Sequence, residues 1–315
     1  MKAIYRRLLP AAGVLFVLLA AGAGLLWWYV SMWGQEPDPA FDATVASPAF
    51  GAEGPSVLFD QAHFNAHSLQ DTYAPFAALL RNDGYRLVES DELLRPQVLE
   101  DHDILVVVNA RGSNESARRG KPAFRPAEIE AVYAWVSSGG SLLLVADHAP
   151  FGSAARAMAE RFGVEMSNFD TVDPVHHDPV SGSEGFLLFS RENGLLGSHP
   201  IVQGRSQGEQ ISRVLTFNGQ SLRGPEGSAM VLALSDGAKD RLADGSERSA
   251  RGRAQALALE PGEGRIVVLG EAAVLTAQIG HVPFQEPIYA GMNRTDVDNK
   301  QFTLNVMHWL SWLVR

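Results

Sequence analysis

The 315-residue chain contains no cysteine. This absence excludes thiolate metal sites, disulfide frameworks and cysteine nucleophiles. Charge is also sparse: 20% of the residues are charged, and 26 basic residues against 36 acidic ones give a net charge of −10. Such an acidic chain is unsuited to general nucleic-acid binding. Because 46% of the residues are hydrophobic, the composition favours a packed globular domain over a disordered or coiled-coil chain.

One long apolar run stands near the N-terminus. Residues 8–30 contain 23 residues without a charge, enough to cross a bilayer core of about 30 Å. Three basic residues precede the run within residues 1–7, and none follows until Arg81. The positive-inside rule therefore predicts a single-pass anchor in a bacterial inner membrane, with a cytoplasmic N-terminus and a periplasmic C-terminal domain. A cleavable signal peptide is the alternative interpretation.

The exported part of the chain is acidic and divides into two regions. Subtracting the three leader cations from −10 leaves a net charge of −13 outside the cytoplasm. Residues 31–54 contain three prolines and no hydrophobic period, which predicts a flexible linker. Residues 55–315 fall within the size range of one α/β domain.

Short apolar runs alternate with helical patterns along this domain. Runs without alternation predict strands buried on both faces, over residues 56–60, 103–109, 141–146 and 264–270, with a weaker strand over 85–89. Helices are predicted over 69–80, from Pro126 to Gly139, after Ser153, and after Asp298 as N-cap with Gln301 three residues on. The order predicts a flavodoxin-like, doubly wound and mostly parallel sheet. Residues 164–260 are less regular and predict an insertion or an antiparallel extension.

Polar residues follow the predicted strands at the edge where α/β sheets bind ligands. After the first strand come Asp60, His63, Asn65 and His67; after the third, Asn109 and Arg111; after the fourth, Asp147 and His148; after the last, Glu271. These segments are expected to share one rim. The predicted catalytic residues are His63, His67, Asp147, His148 and Glu271, and the predicted substrate-binding residues are Asn65, Asn109 and Arg111.

The spacing of His63 and His67 suggests a metal site. Four residues apart on a helical turn, the two imidazoles would lie on one face and could hold a divalent cation such as zinc. Asp60 and His148 complete the candidate ligand set. The alternative is a helix-capping loop whose histidines bond to the backbone.

Other polar groups have weaker interpretations. The loop with Asp170, Asp173, His176, His177 and Asp178 could bind a cation, although a solvated loop is favoured. His199 is assigned to a turn, His281 is ambiguous, and His308 is predicted to be exposed. The basic segment with Arg111, Arg118, Arg119, Lys121 and Arg125 could attract an anionic ligand such as a uronate, although solvation is favoured.

Several motifs together resemble a known group of proteins. The segments VLFDQAHFNAH, GGSLLLVADHAPFG, SHPIVQGRS, GRIVVLGEAA and NKQFTLNVMHWL look like bacterial envelope proteins with a domain of unknown function, related to class I glutamine amidotransferase-like domains. GGSLLLVADH is also similar to trehalose-utilisation-protein-like domains. The resemblance implies a flavodoxin-like sheet with its site at the strand ends. It implies no amidotransferase activity, because Asp147 and His148 stand where that family has its nucleophilic cysteine.

Two functions remain open at this point. The first is a hydrolase centred on histidine and aspartate, with or without a metal, in which Glu271 moves the proton. The second is a non-catalytic envelope module that binds a glycan or a peptide at the same rim. Catalysis requires the imidazoles and carboxylates to converge on one point, whereas binding tolerates a dispersed row.

Overall fold

The computed structural model describes residues 34–51, 53–281, 284 and 286–315, with the backbone alone for residues 117–118. The strands are β1 (Gly34–Pro37), β2 (Ser56–Asp60), β3 (Arg86–Ser90), β4 (Ile104–Val108), β5 (Ser141–Val145), β6 (Glu165–Met166), β7 (Asp170–Val172), β8 (Leu188–Ser190), β9 (Arg213–Leu215), β10 (Leu222–Arg223), β11 (Ala229–Ala233), β12 (Lys239–Arg241), β13 (Glu247–Ser249), β14 (Ala254–Leu259), β15 (Arg265–Leu269), β16 (Ala277–His281) and β17 (Ile288–Gly291). The helices are α1 (Ala74–Asn82), α2 (Pro96–Leu99), α3 (Asn114–Arg118), α4 (Pro126–Ser137), α5 (Phe151–Arg161), α6 (Pro200–Gln203) and α7 (Asn299–Leu310), with 3₁₀ turns at Gln207–Glu209 and Ala273–Leu275.

A mostly parallel sheet forms the centre of the domain. Its first five strands lie in the order β3-β2-β4-β5-β15 and all pair in parallel. This is the flavodoxin-like order, in which the first strand along the chain lies between the second and the third. Each of the five predicted strands of the parallel core is present within one residue at either end. The structure thus confirms the predicted α/β fold class.

Helices cover both faces of this sheet. On one face, Val57 and Phe59 of β2 belong to the same hydrophobic cluster as Phe76 of α1 and Phe302 of α7. On the other face, Leu58 packs in a second cluster with residues of α4 and α5. Because successive side chains of a strand point to opposite faces, the unalternated apolar runs fill both clusters.

Two helix boundaries differ from the sequence-based prediction. The first helix begins at Ala74 rather than near Leu69, because residues 68–73 form turns ahead of Pro75. Asp298 occupies the N-cap position of α7, but its side chain does not cap the helix. Its Oδ2 instead accepts the backbone N–H groups of Ser212 (2.7 Å) and Arg213 (3.0 Å), tying β9 to the helix start.

Residues 164–260 extend the central sheet and cover one end of it. Strand β14 pairs antiparallel with β15, and β10 and β11 pair antiparallel with β14. Strand β6 completes the nine-stranded sheet beside β10. The remaining strands form the small sheet β13-β12-β7 and the pair β8-β9, which places Asp170 close to the carboxyl ends of the parallel strands.

The segment that precedes the domain core is held against it. Strand β1 pairs antiparallel with β16, and Gly34 lies opposite His281. Phe41 and Phe50 pack on the core, and the Lys300 Nζ donates to the backbone oxygen of Asp42 at 2.6 Å. The described part of residues 31–54 therefore differs from the predicted flexible linker, because its apolar side chains find partly buried positions.

The predicted membrane anchor over residues 8–30 lies outside the described residues. From residue 34 onward, the described helices include none that is both long enough and apolar enough to cross a bilayer.

Candidate functional site

A cavity of about 750 Å³ lies at the carboxyl ends of β4, β5 and β15. Five of the predicted rim residues line it: His67, Asn109, Asp147, His148 and Glu271. Its opposite wall comes from the three-stranded sheet β1-β16-β17, including Gln35, Gln278 and Ile288. The parallel sheet thus brings side chains from four separate segments to one place, as ligand sites in this fold class require.

Asn109 is the centre of the hydrogen-bond network on the cavity floor. It follows β4 with a φ of +46°, a left-handed conformation that is uncommon outside glycine. Its Oδ1 accepts the backbone N–H of Asp147 at 2.9 Å, which fixes the orientation of the amide. The Nδ2 group then donates to Asp147 Oδ2 at 2.7 Å and to His67 Nε2 at 3.1 Å. One side chain therefore positions both an imidazole and a carboxylate.

This network fixes the protonation state of His67. Because His67 Nε2 accepts from Asn109, the proton lies on Nδ1, which donates to Thr72 Oγ1 at 2.5 Å. Burial lowers the pKa of His67 to about 4. The imidazole is therefore neutral at physiological pH, and both of its nitrogens already have partners.

Asp147 and Glu271 form a buried carboxyl pair on the cavity floor. Asp147 Oδ1 accepts the N–H of Ala272 at 2.7 Å, while Glu271 accepts those of Ala273 (2.5 Å) and Val274 (2.8 Å) at the start of the second 3₁₀ turn. Burial raises the pKa of Asp147. Burial and the neighbouring charge of Asp147 raise the pKa of Glu271 well above its usual value. Shifted carboxyl pairs in a cavity are typical of ligand and catalytic sites.

His148 stands at the junction of two cavities. Its side chain is 38% exposed, and its Nε2 lies 3.5 Å from Asp170 Oδ1. Its Nδ1 lies 3.1 Å from the backbone oxygen of Ala149. His148 and Asn218 line both the main cavity and a neighbouring one of about 390 Å³, which also contains Asp170 and Arg241. The two cavities therefore share a boundary rather than lying apart.

His63 belongs to a separate buried cluster, contrary to the predicted helical pairing with His67. Residues 61–73 form turns rather than a helix. The His63 Nδ1 lies 2.8 Å from Asp60 Oδ1, and its Nε2 lies 2.9 Å from Glu128 Oε1. Asn65 joins the cluster by donating to Asp60 at 3.1 Å. Burial acts to lower the pKa of His63, but Asp60 and Glu128 outweigh it and raise that pKa.

The predicted metal-ligand set is therefore not assembled. Both nitrogens of His63 face carboxylates, both nitrogens of His67 face Asn109 and Thr72, and His148 faces Asp170. Among the residues that the structure describes, no group of three or more histidine, aspartate or glutamate side chains could hold a metal ion. The geometry gives no support to a zinc-like centre made by Asp60, His63, His67 and His148.

The other predicted groups have mainly structural positions. The prediction that His308 is exposed is wrong: it is 1% exposed, with its Nε2 at 2.7 Å from Asp83 Oδ2, because α7 is buried on nearly all sides. His199 caps α6, as its assignment to a turn implies. Asp173 Oδ1 accepts two backbone N–H groups of its own loop. Arg111 Nε donates to the backbone oxygen of Phe64 and does not line the cavity.

Sequence reasoning missed several cavity residues. Thr72, Phe186, Phe217, Asn218 and Gln278 all line the cavity. Gln278 is 4% exposed, and its Oε1 has no hydrogen-bond partner. Only Asn218 carried a sequence signal, since it follows a predicted strand; Gln278 lies in β16, whose pairing with β1 depends on long-range structure.

The stability of the protein is expected to peak near pH 6.5, as follows from these shifted groups. The folded-state pKa of His63 is raised, so its contribution is complete below pH 6.5 and is lost as pH rises through that pKa. Protonation of Asp147 and Glu271 acts in the same direction. The pKa values of His67 and His199 are lowered to about 4, so their contribution is lost as pH falls from 6.5 toward 4. Thermal unfolding measured from pH 4.5 to 9 tests this; a melting temperature that rises steadily above pH 6.5 would contradict it.

Comparison with known proteins gives a fold but no family. No family model and no curated protein sequence matches the chain. The structure is similar to the mmIFT52 N-terminal domain, with a TM-score of 0.57 and 13% identity over 81% of this chain and 97% of that one. A ThuA-like protein from Parabacteroides merdae (0.43; 15%; 82% and 90%) and a GMP synthase component from Thermoplasma acidophilum (0.40; 12%; 83% and 96%) are more distant. At these identities the similarity concerns the fold alone.

Proposed function

We propose that this chain is a membrane-anchored, periplasm-facing amidotransferase-like domain whose cavity binds a hydroxyl-rich ligand such as a glycan of the cell envelope. The anchor is the apolar run over residues 8–30. The binding site is the cavity at the carboxyl ends of the parallel strands. This function does not require a metal or a cysteine.

The observation that carries this proposal is the excess of hydrogen-bond acceptors around the cavity. Asp147 and Glu271 provide carboxyl oxygens on the floor, and Gln278 provides an unpartnered buried oxygen on the wall. A buried acceptor without a partner costs about 1–3 kcal/mol, and a ligand that donates to it recovers that energy. Sugar hydroxyl groups are such donors, and each can also accept in return.

The size and the apolar part of the lining suit the same ligand class. A cavity of about 750 Å³ is within the range of small-molecule sites. Phe186 and Phe217 pack edge to face with ring centroids 5.1 Å apart and form one apolar side. A pyranose ring has an apolar C–H face as well as hydroxyl groups, so it can contact the aromatic side while its hydroxyls meet the acceptors.

The positions of the imidazoles favour binding over histidine-centred hydrolysis. His63 is buried outside the cavity, and both nitrogens of His67 are engaged. His148 is paired loosely with Asp170. The three imidazoles therefore do not converge on one reacting atom.

One observation favours hydrolysis as a second candidate function. The pKa values of Asp147 and Glu271 are both raised, so one carboxyl of the pair can hold a proton near neutral pH. A protonated carboxyl beside a carboxylate is the arrangement that glycoside hydrolysis uses. Release of new reducing ends by the wild-type protein, and its loss in Glu271→Gln with binding retained, would establish this second function.

Replacing Gln278 by Leu tests the binding function. The full chain in phosphatidylcholine nanodiscs, which contain no sugar, is titrated with chitotetraose, maltotetraose and trigalacturonate by calorimetry. We expect one of these saccharides to bind and Gln278→Leu to weaken it roughly 3- to 10-fold, the effect of one lost neutral hydrogen bond. Gln207→Leu, at an exposed position outside the cavity lining, is the matched control and should bind as the wild type does. Failure of all three saccharides to bind at millimolar concentration would overturn the proposed ligand class.

A further inference from the structure

The wall of the cavity begins where the described chain begins. Gly34, the first residue of β1, pairs with His281, the last residue of β16. The chain therefore enters the domain beside the turn that joins β16 to β17. Gly34 and Gln35 line the cavity directly, together with Gly280 and His281. This end of the β1-β16-β17 sheet is thus both the entry point of the chain and part of the cavity rim.

The sequence places a predicted membrane span very close to this point. The apolar run ends at residue 30, four residues before Gly34. Four fully extended residues reach about 14 Å at most. This distance is small compared with the domain, so the end of the sheet that carries Gly34 must face the bilayer surface if residues 8–30 span the membrane.

The turn between β16 and β17 has the side chains that a lipid contact needs. Phe284 lies in this turn and is 82% exposed, and Tyr289 of β17 is 46% exposed. Aromatic side chains are enriched at the level of the lipid headgroups, where an apolar ring and a polar environment are both available. The exported part of the chain has a net charge of −13, so an aromatic contact explains surface binding better than attraction to anionic lipids does.

We infer that the β16–β17 turn rests on the bilayer surface with Phe284 in the headgroup region, so that the cavity rim faces the lipid headgroups. The partner is the outer face of the anchoring membrane itself. This inference rests on the membrane anchor of the proposed function, and it is independent of which ligand the cavity takes.

The absence of cysteine allows a clean test with single labels. Phe284→Cys and Ser138→Cys variants of the full chain are labelled with an environment-sensitive nitrobenzoxadiazole dye and reconstituted in phosphatidylcholine vesicles. Ser138 is exposed at the amino-terminal end of β5, at the opposite edge of the sheet from the cavity. We expect nitroxide-labelled lipids to quench the dye at position 284 roughly twofold or more beyond the dye at position 138, since an interfacial side chain lies about 5–10 Å deep.

The outcomes separate this inference from the proposed function. Equal quenching at both positions in protein that floats with the vesicles would overturn the surface contact while leaving the anchor and the saccharide site intact. Failure of the full chain to float with the vesicles would overturn the anchor and this inference together. Preferential quenching at position 284 would support the contact even if none of the three saccharides binds.

Discussion

Replacing His63 by Gln is expected to lower the free energy of unfolding by about 3–5 kcal/mol, the usual effect of removing one partner from a buried ion pair. His63 is 2% exposed and lies between Asp60 and Glu128. Both ring nitrogens face carboxylates, so both are donors and the ring is positively charged. Gln is neutral and can donate to only one side, which leaves two buried carboxylates without a counter-charge. A loss of this size corresponds to a fall in melting temperature of roughly 10 °C.

Differential scanning fluorimetry of the full chain in nanodiscs at pH 6.5 measures this effect. The matched control is His148→Gln, because His148 is 38% exposed and makes only a loose pair with Asp170. The control should change the melting temperature by less than about 2 °C, as surface substitutions do. Equal melting temperatures for His63→Gln and the wild type would show that the cluster does not contain a buried positive charge.

Replacing Asn109 by Asp is expected to disrupt the cavity floor. The substitution changes the shape little, but it replaces the Nδ2 donor by an oxygen that faces Asp147 Oδ2, at a contact of 2.7 Å in the wild type. A third carboxylate then joins Asp147 and Glu271, whose pKa values are already raised. We expect a loss of about 3 kcal/mol in unfolding free energy at pH 7 and the loss of saccharide binding.

The exchange of the two residues provides an internal control. In the Asn109→Asp, Asp147→Asn double variant, an amide again faces a carboxylate. The backbone N–H groups of Asp147 and Ala272 each keep an oxygen acceptor. His67 needs only to move its proton to Nε2. We expect the double variant to recover at least about 1 kcal/mol relative to Asn109→Asp, a coupling typical of residues in direct contact. Additive losses in a thermodynamic cycle would contradict the proposed network.

The parallel core could be predicted because its signals are local. The run ILVVV in β4 is buried along its whole length, and a fully buried strand of this kind needs no information from distant residues. The same holds for the rim position of Asp147, which comes directly after β5. Since parallel strands end at one edge of a sheet, the sequence was sufficient to bring Asn109, Asp147 and Glu271 together.

The errors arose where tertiary contacts overrode local spacing. His63 and His67 are four residues apart, but turns separate them, and the acceptor for His63 Nε2 comes from Glu128 in a distant helix. His308 lies off the predicted apolar stripe, and it is nevertheless buried because Asp83 provides a partner across the core. Neither contact has a signature within a window of the sequence. The wall made by β1, β16 and β17 depends on pairing across more than 240 residues and was not predictable for the same reason.

The position of β1 has a consequence for the design of soluble fragments. A fragment that starts at residue 55, the predicted domain boundary, lacks β1 and so loses Gly34 and Gln35 from the cavity. It also leaves β16 as an edge strand with unpaired backbone groups, which are a template for pairing with another copy of the chain. Such a fragment is prone to self-association and to a false negative in ligand screens, whereas one that starts at or before Gly34 retains the whole wall.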